Sequence, residues 1–570
     1  MPSILRISMT MPEAWREPVP AAYERLGGRG LSARILSDEV DPICDPLGRS
    51  NKVVLAPGLL ADMGVSSGSR ASIGGKSPLT GGIKEANVGG VLGGMLARLG
   101  LKALVVEGRA GPGQWFTIHV SNSGAQLVPA DDLVGLGTYD TAARLREVYG
   151  RHVGMAVIGP AGVMRLTAAG VACTDQEGLP GRYAARGGLG AALGAKGVKA
   201  IVVDAAKGNK AAAYDPAAVK VALKAYHRLL RETPQTAEVY PNYGTAAMVD
   251  VTNELGGLPT RNFSTGRFEH AGEVSGRAIH RLLKDRGGEA VIAHACMPGC
   301  TIRCSNVFVD AQGKALVSPL EYETIGLLGS NCGIGDLDAI AQLNYLCNDL
   351  GLDTLDVGAA IAVAMEAGLL PFGAAEKAMD LVRQIGEGTI LGRVLGCGAA
   401  TTGRVLGVER TPVVKGQALA AYDPRAIKGL GVTYATSPMG ADHTAGNTIR
   451  AKVDHRSAEG QVEASRHGQI IAATYDTLGL CLFAGPAVGT QLELLVNLVA
   501  AQYGWNLDVA GLLAFGEETL RTELAFNRAA GWTAAHNGLP EYLTLEPNPA
   551  TETVFDVPRE ELVRLHEKLT

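Results

Sequence analysis

The sequence predicts an α+β fold, β-rich over residues 1–208 and mainly helical over residues 209–410 and 411–570. Three observations lead there. Four β-branched apolar runs, Val53-Val-Leu-Ala, Ala103-Leu-Val-Val-Glu, Phe116-Thr-Ile-His-Val and Ala200-Ile-Val-Val-Asp, are each bounded by Gly, Pro or Asp, the pattern of strands. Beyond residue 210 the period changes: Ala217–Leu230 and Leu337–Cys347 carry apolar residues at i, i+3, i+4 and i+7, the pattern of helices. Glycine, at 75 of 570 residues, is about twice its ~7% average. It falls in short clusters among apolar residues, where a backbone without side chains can approach a bulky ligand.

Taken in order, the first runs suggest a mostly antiparallel base. Between them lie two Gly-rich segments. One runs Gly68-Ser-Arg70-Ala-Ser-Ile-Gly-Gly-Lys76 through Lys84-Glu-Ala-Asn87-Val-Gly89-Gly90, the other Gly181-Arg182-Tyr-Ala184-Ala185-Arg186-Gly187-Gly188 through Lys196. Both combine backbone amides with Arg, Lys and small polar side chains, the chemistry that holds phosphates and polar heterocycles. They look like two halves of one cradle; tight turns between strands are the alternative. Neither is a P-loop or a dinucleotide fingerprint. Boundaries fall near residues 205–212 and 405–415, and a long ordered loop is expected over 430–450. A short echo links Asn348-Asp-Leu-Gly351-Leu-Asp353 to Asp476-Thr-Leu-Gly479-Leu480-Cys481. Each can end a helix with Gly at the left-handed position, and a carboxylate there can accept from the N–H groups of a heterocycle. Two such motifs imply two similar ligands or one ligand with two similar halves; two ordinary helix caps are the alternative.

The cysteines add a metal signal. Cys296-Met-Pro-Gly-Cys300-Thr-Ile-Arg-Cys304 places three thiols at four-residue spacing. Pro298 and Gly299 disfavour a regular helix through its first half, so a loop wrapping its sulfurs around a compact centre is expected. A fourth ligand must come from elsewhere, and iron–sulfur and zinc readings are both open at this point. Cys44, Cys173, Cys332, Cys347 and Cys397 stand singly and read as buried small hydrophobes. Nine cysteines, no secretory leader pattern and no long uncharged apolar run point to a reducing, cytoplasmic setting without a membrane span. A net charge of −5 with interspersed signs offers no basic stripe for nucleic acid.

These motifs, with Gly27-Gly-Arg-Gly-Leu, Lys76-Ser-Pro-Leu-Thr-Gly, Glu321-Tyr-Glu323-Thr, Ala421-Tyr-Asp-Pro-Arg and Tyr434-Ala-Thr, resemble the tungsten-containing aldehyde:ferredoxin oxidoreductases over nearly the whole chain. The cysteine spacing resembles a bacterial branch more than the archaeal type members, whose first two cysteines are usually one residue closer. The resemblance implies a β saddle under a tungsten (or molybdenum) bis-molybdopterin, Mg2+ bridging the pterin phosphates, and a [4Fe–4S] cluster. It implies Cys481 as the fourth cluster ligand beside Cys296, Cys300 and Cys304. Arg70 would touch a pterin phosphate and the cluster. Asn87 and Gly89 would line the phosphate–magnesium site, and Ala184, Ala185 and Arg186 its counterpart. Asn348, Asp353, Asp476 and Leu480 would grip the pterin rings.

For chemistry, the resemblance implies a glutamate of Glu321-Tyr-Glu323 as general base, with the choice between the two open, and His443 as hydrogen-bond partner of the substrate or oxo oxygen. Helix-start acids and a satisfied buried imidazole are the plainer readings. Two departures stand out: Ala445 where archaeal members have Lys, and Asn348 where Asp is usual. No histidine lies between His294 and His443, so the inter-subunit iron site of the archaeal dimer is not expected, while a homo-oligomer is left open. The implied activity is aldehyde oxidation, with electrons passed to ferredoxin or an iron–sulfur subunit. A benzoyl-CoA reductase-type subunit and a non-catalytic iron–sulfur scaffold are the alternatives.

Overall fold

A computed structural model describes residues 2–565 and Glu567. The first twelve strands form two six-stranded sheets. The first contains β1 (Ser3–Ser8), β2 (Glu13–Pro18), β3 (Val53–Pro57), β4 (Ala71–Lys76), β5 (Ile83–Val88) and β6 (Leu101–Glu107). The second contains β7 (Phe116–Ser121), β8 (Gly124–Pro129), β9 (Gly154–Val157), β10 (Val171–Cys173), β11 (Arg182–Ala184) and β12 (Val198–Val203). The orders are β2-β1-β6-β3-β4-β5 and β8-β7-β12-β9-β10-β11, so the second repeats the first with every strand number raised by six. In each sheet one pair is parallel, β1–β6 and β7–β12, and the other pairs are antiparallel. The helices repeat too. Gly28–Glu39 and Thr138–Tyr149 follow β2 and β8, and Leu92–Arg98 and Leu189–Ala195 precede β6 and β12. The N-terminal region is therefore a structural duplication, and its sheets are mixed, as the expected mostly antiparallel base allows.

Beyond Val203 the chain is mainly helical, apart from a small three-stranded sheet within residues 291–317 and a strand pair within residues 413–418. The expected helices are Pro216–Glu232 and Leu337–Leu350, each capped by an aspartate, Asp215 or Asp336, that accepts from two first-turn amides. Helix Thr354–Glu366 is apolar on nearly every face and buried along almost all its length, the signature of a helix inside a core. The loop expected from residue 430 begins later: Lys428–Thr436 is a helix with all nine residues buried. Its glycines, Gly429 and Gly431, leave no surplus side chain to pack, which is why the segment lacks an amphipathic pattern. Of the single cysteines, Cys173, Cys332 and Cys347 are buried as expected, but Cys44 and Cys397 are only part-buried. No single helix among the described residues is long and apolar enough to cross a membrane.

The helical part docks on the duplicated sheets through the echoed motifs. Helices Leu337–Leu350 and Gln461–Leu478 end at Gly351 (φ 75°) and Gly479 (φ 73°). The following amides, of Leu352 and Leu480, reach back to Cys347 and Tyr475 carbonyls at 2.8 Å, which defines a Schellman cap. Each cap sits on a glycine after the third strand of one repeat. A Cβ on Gly58 would lie 2.1 Å from the Gly479 amide nitrogen, and one on Gly159 2.3 Å from the Leu350 carbonyl oxygen. Only a residue without a side chain permits that approach. The bonds match as well: Arg70 N–H donates to the Gly479 carbonyl (3.0 Å) and Gly170 N–H to the Gly351 carbonyl (2.9 Å).

Candidate active site and metal centre

The segment Cys296–Cys304 is irregular, and its apolar residues Met297 and Ile302 are buried in one cluster with Tyr226, Leu478 and Leu480. That anchoring turns the loop back beside the second cap. Cys481, one residue past Leu480, donates its amide to the Ser67 carbonyl at 2.9 Å. Ser67 Oγ lies 3.4 Å from Cys300 Sγ. Cys296 hydrogen-bonds Cys300, which lowers the Cys300 thiol and raises that of Cys296. Burial, and then Glu321, Cys481 and Cys300 nearby, push Cys304 well up. All nine cysteines are free. Four free thiols within electrostatic reach of one another, brought together across 177 residues, form a donor set of the kind iron–sulfur clusters use.

Arg70 ties this group to the cradle. Its Nη1 lies 3.9 Å from Cys481 Sγ, its Nη2 donates to the Asn87 carbonyl at 3.1 Å, and its Nε donates to Asn87 Oδ1. A Cβ on Gly89 would stand 3.4 Å from both Arg70 Nη1 and Cys296 Sγ, so Gly89 lies where the thiol loop meets the cradle. Strand register places the second half's residues in correspondence. Val88 lies opposite Ala71, and Ala184 opposite Val171. Ala184 thus ends β11 as Val88 ends β5, and Ala185 and Arg186 follow it where Gly89 and Gly90 follow Val88. Arg186 is 6% exposed. It donates to the Ala441 and Ala418 carbonyls, each at 2.6 Å, and its Nε lies 3.3 Å from Asp353 Oδ2.

The echoed motifs are placed alike but wired differently. Asp476 pairs with Arg29 Nη1 at 3.3 Å, and Arg29, wholly buried, grips both Glu523 oxygens at 2.8 and 2.7 Å. Burial nonetheless holds Asp476 up at about 6. At the corresponding helix start stands Tyr139, within reach of the Asn348 amide. The first motif thus meets a neutral hydroxyl where the second meets a guanidinium. Asp353 caps helix Thr354–Glu366 through the Leu355 amide (3.0 Å). Asp356 behind it is pushed up to about 7, first by burial and then by Asp353.

Glu321 and Glu323 occupy different surroundings. Glu321 is the cap residue of the turn Tyr322–Thr324, accepts from Thr245 Oγ1, and faces the thiol side, where Cys304 and Cys481 feel its charge. Glu323 points the other way. Its Oε2 accepts from the Ala421 amide at 2.8 Å, and its Oε1 lies 3.3 Å from His443 Nε2. Burial raises it, and His443 opposes that rise. A π-turn, Ile325–Gly329, follows at once, a feature frequent at functional sites. Among the described residues Glu323 Oε1 and His443 Nδ1 have no hydrogen-bond partner, though both are buried atoms. Such unmet polar atoms are costly unless a ligand meets them. Tyr422 packs obliquely on His443, ring centroids 6.0 Å apart.

Sequence reasoning missed Arg29, Glu523, Asp356 and the pair Lys84–Asp442. Arg29 lies inside the quoted Gly27-Gly-Arg-Gly-Leu; Glu523 lies in a long amphipathic helix and carries no local signal.

Residues 4–205 match the family model described as "Aldehyde ferredoxin oxidoreductase, N-terminal domain", and residues 220–567 the one described as "Aldehyde ferredoxin oxidoreductase, domains 2 & 3". The chain belongs to the aldehyde ferredoxin oxidoreductase family. It is 32% identical to the tungsten-containing aldehyde ferredoxin oxidoreductase of Pyrococcus abyssi, over 96% of this chain and 92% of the relative. It is 33% identical to that of Thermococcus kodakarensis, over 93% and 88%. A more distant relative, 25% identical over 84% of this chain and 78% of its own, is the "Aliphatic sulfonate oxidoreductase, WOR-like subunit" of Pyrococcus furiosus. Among solved structures, the active-site complex BamBC of benzoyl coenzyme A reductase superposes with a TM-score of 0.82. That match covers 100% of this chain and 94% of the other at 18% identity, which bears on the fold alone. The protein is thus an oxidoreductase of a tungsten-containing family.

Proposed function

We propose that this aldehyde ferredoxin oxidoreductase family member oxidises aldehydes to carboxylic acids at Glu323 and His443, passing electrons out through a [4Fe–4S] cluster on Cys296, Cys300, Cys304 and Cys481. One observation carries this reading: a single short turn sets Glu321 beside the thiols and, two residues on, Glu323 against His443 at 3.3 Å. The reading is supported by a donor set of four free thiols and by an unmet buried oxygen on Glu323 that faces His443 Nε2. In it, residues 1–208 form the cradle and residues 209–410 and 411–570 the two helical units. Asn87 and Gly89 with Arg70, and Ala184 to Arg186 opposite, would hold the phosphate ends of a bis-molybdopterin with its Mg2+. Asn348, Asp353, Asp476 and Leu480 would hold its rings. When bound, its tungsten or molybdenum supplies a Lewis acid and a two-electron acceptor.

The chain's own groups do the rest. Oxidising an aldehyde to the acid consumes one water and releases two protons and two electrons. Glu323, raised by burial and open at Oε1, accepts a proton as the water oxygen adds to the carbonyl carbon. His443 Nε2 orients the carbonyl oxygen, and Tyr422 excludes bulk water. Glu321, bound to Thr245 and facing the thiols, tunes the cluster side. Pro298, Gly299, Thr301 and Arg303 are exposed, so the thiol loop reaches a surface where ferredoxin or an iron–sulfur subunit can dock in a cytoplasmic setting.

The test is aldehyde oxidation by anaerobically purified, tungsten-loaded variants. His443→Ala and Glu323→Gln should each lower turnover about 100-fold or more, with metal content unchanged, while Glu321→Gln should cost no more than about tenfold. Near-normal turnover in the first two would remove them from the chemistry.

A further inference from the structure

Two basic residues, one from each repeat of the cradle, reach across to the loop that carries His443. Arg186 Nη1 donates to the Ala441 carbonyl at 2.6 Å. Lys84, on β5 and 1% exposed, donates from Nζ to Asp442 Oδ2 at 2.6 Å. Its stem is boxed in, because a Cβ on Gly187 would lie 2.4 Å from Lys84 Cγ. Asp442 uses its other oxygen locally: Oδ1 accepts from the Thr444 amide at 3.0 Å and Thr444 Oγ1 at 2.8 Å, capping the single turn His443–Ala445. That same oxygen stands 3.9 Å from His443 Nδ1. One carboxylate therefore fixes the turn with one oxygen and is itself fixed by Lys84 with the other. Burial pushes this carboxyl up, but Lys84 and Arg186 outweigh burial and hold it well below the usual range. It stays ionised and remains a strong acceptor.

We propose that Lys84 is a positioning residue for the reaction, acting through Asp442 to hold the His443 imidazole opposite Glu323. The arrangement has a physical need behind it. His443 sits on a one-turn 3₁₀ segment followed by a glycine, Gly446, and a stretch with little regular structure, so nothing in the local backbone would hold its ring to within a few tenths of an ångström. Lys84, by contrast, stands on β5, which pairs with β4 over six residues in register at the edge of the first sheet. It transmits the rigidity of the sheet to the loop, and it does so on the strand that also carries Asn87. The ring that orients the substrate is thereby referenced to the cradle itself.

This inference rests on the assignment of His443 above, and its test separates the two. Lys84→Met, and the charge-neutral pair Lys84→Met with Asp442→Asn, are compared with the wild-type holoenzyme for kcat, KM, tungsten content, and the rate at which diethylpyrocarbonate modifies His443, followed by peptide mass spectrometry. Both variants should retain tungsten and a KM within about threefold, lose about 100-fold in kcat, as misplacement of a reacting group by about 1 Å does, and modify His443 several-fold faster. The double variant should be no worse than Lys84→Met, because the two groups act as one unit. Should Lys84→Met fail to accumulate, the neutral double variant, which leaves no buried charge unpaired, gives the same readings. Near-wild-type kcat with an unchanged modification rate in either variant overturns the proposal, as does loss of tungsten in step with activity, which would assign Lys84 to the cofactor. The modification rate needs no turnover. A faster rate with no aldehyde activity in the wild type would therefore leave the positioning intact and remove only the assigned reaction.

Discussion

The two copies of the docking turn share a backbone and differ in what they hold. At Gly479 and Gly351 the caps, the left-handed glycines, the facing glycines of the sheets and the cross-repeat bonds all coincide. Two residues past each glycine, Cys481 and Asp353 bond to corresponding loops, through the Ser67 and Ala168 carbonyls, both at 2.9 Å. Yet Cys481 turns toward three other thiols, while Asp353 caps a helix and faces Arg186. Ahead of the glycines, Asp476 meets a buried arginine and Asn348 a part-buried tyrosine. A duplicated scaffold thus provides two equivalent grips. The copies differ by one residue on each side of an otherwise repeated turn, so that one carries a thiol and the other a carboxylate.

The most disruptive way to break that difference is to make the first copy resemble the second. Cys481→Asp should strip most of the iron from anaerobically purified protein, because a hard carboxylate replaces a thiolate ligand. The Schellman cap and the amide bond to Ser67 use only backbone and should keep the fold. Iron analysis and thermal unfolding read the two effects separately. Full iron content would exclude Cys481 from the ligand set.

Much of this was legible in the sequence because it is local. Thiol spacing, the Leu-Gly-Leu echo and the caps at Asp215 and Asp336 are each set by a few neighbouring residues. The duplication of the sheets was not legible, since strand order is decided by pairing between residues far apart, and the two repeats share little beyond the position of a few glycines. The lysines of the Gly-rich segments misled in a similar way. Lys76 donates to the Pro42 and Cys44 carbonyls, Lys196 to those of Asn51 and Gly108, and Lys84 to Asp442. They bind the protein's own acceptors, not an external phosphate. Arg70 lies beside Cys481, and Arg186 beside the carbonyl of Ala441 ahead of His443. The choice between Glu321 and Glu323 likewise depended on where residue 443 arrives, a contact 120 residues distant in sequence.

A milder intervention makes the second copy resemble the first. Asn348→Asp would place a carboxylate beside Tyr139 with no arginine opposite, at a residue 4% exposed. The expected cost is about 2–4 kcal/mol in unfolding free energy, the penalty of an unpaired buried charge. Asp476→Asn should cost less, because Arg29 keeps both bonds to Glu523. Chemical denaturation of the two variants checks the order, and equal losses would mean that the two turns are not distinguished by their partners. Adding Tyr139→Arg to Asn348→Asp should recover part of the loss.

The smallest effect concerns protons. Asp356, behind the second turn, is held at about 7 by burial and by Asp353, against an ordinary value near ~3.9 in an unfolded chain. A carboxyl raised on folding binds more protons folded than unfolded. Its contribution to stability is therefore complete below about pH 4 and is lost as pH rises toward 7. Over that window it should lower stability by about 1 kcal/mol per pH unit. The first turn has raised carboxyls too, Asp476 at about 6 and Glu85 on the neighbouring β5 at about 8, and an arginine opposes the rise in each half, Arg29 in the first and Arg186 in the second. Unfolding measured between pH 5 and 7 should show stability falling with pH in the wild type and a flatter profile in Asp356→Asn. The amide removes a titrating group but can still accept from the Ala418 amide that bonds Asp356 Oδ1 at 3.1 Å, so the change isolates the proton from the hydrogen bond. Parallel pH profiles in the two proteins would show that Asp356 titrates at an ordinary value, and that the second turn tolerates its paired carboxylates through Arg186 as fully as the first does through Arg29.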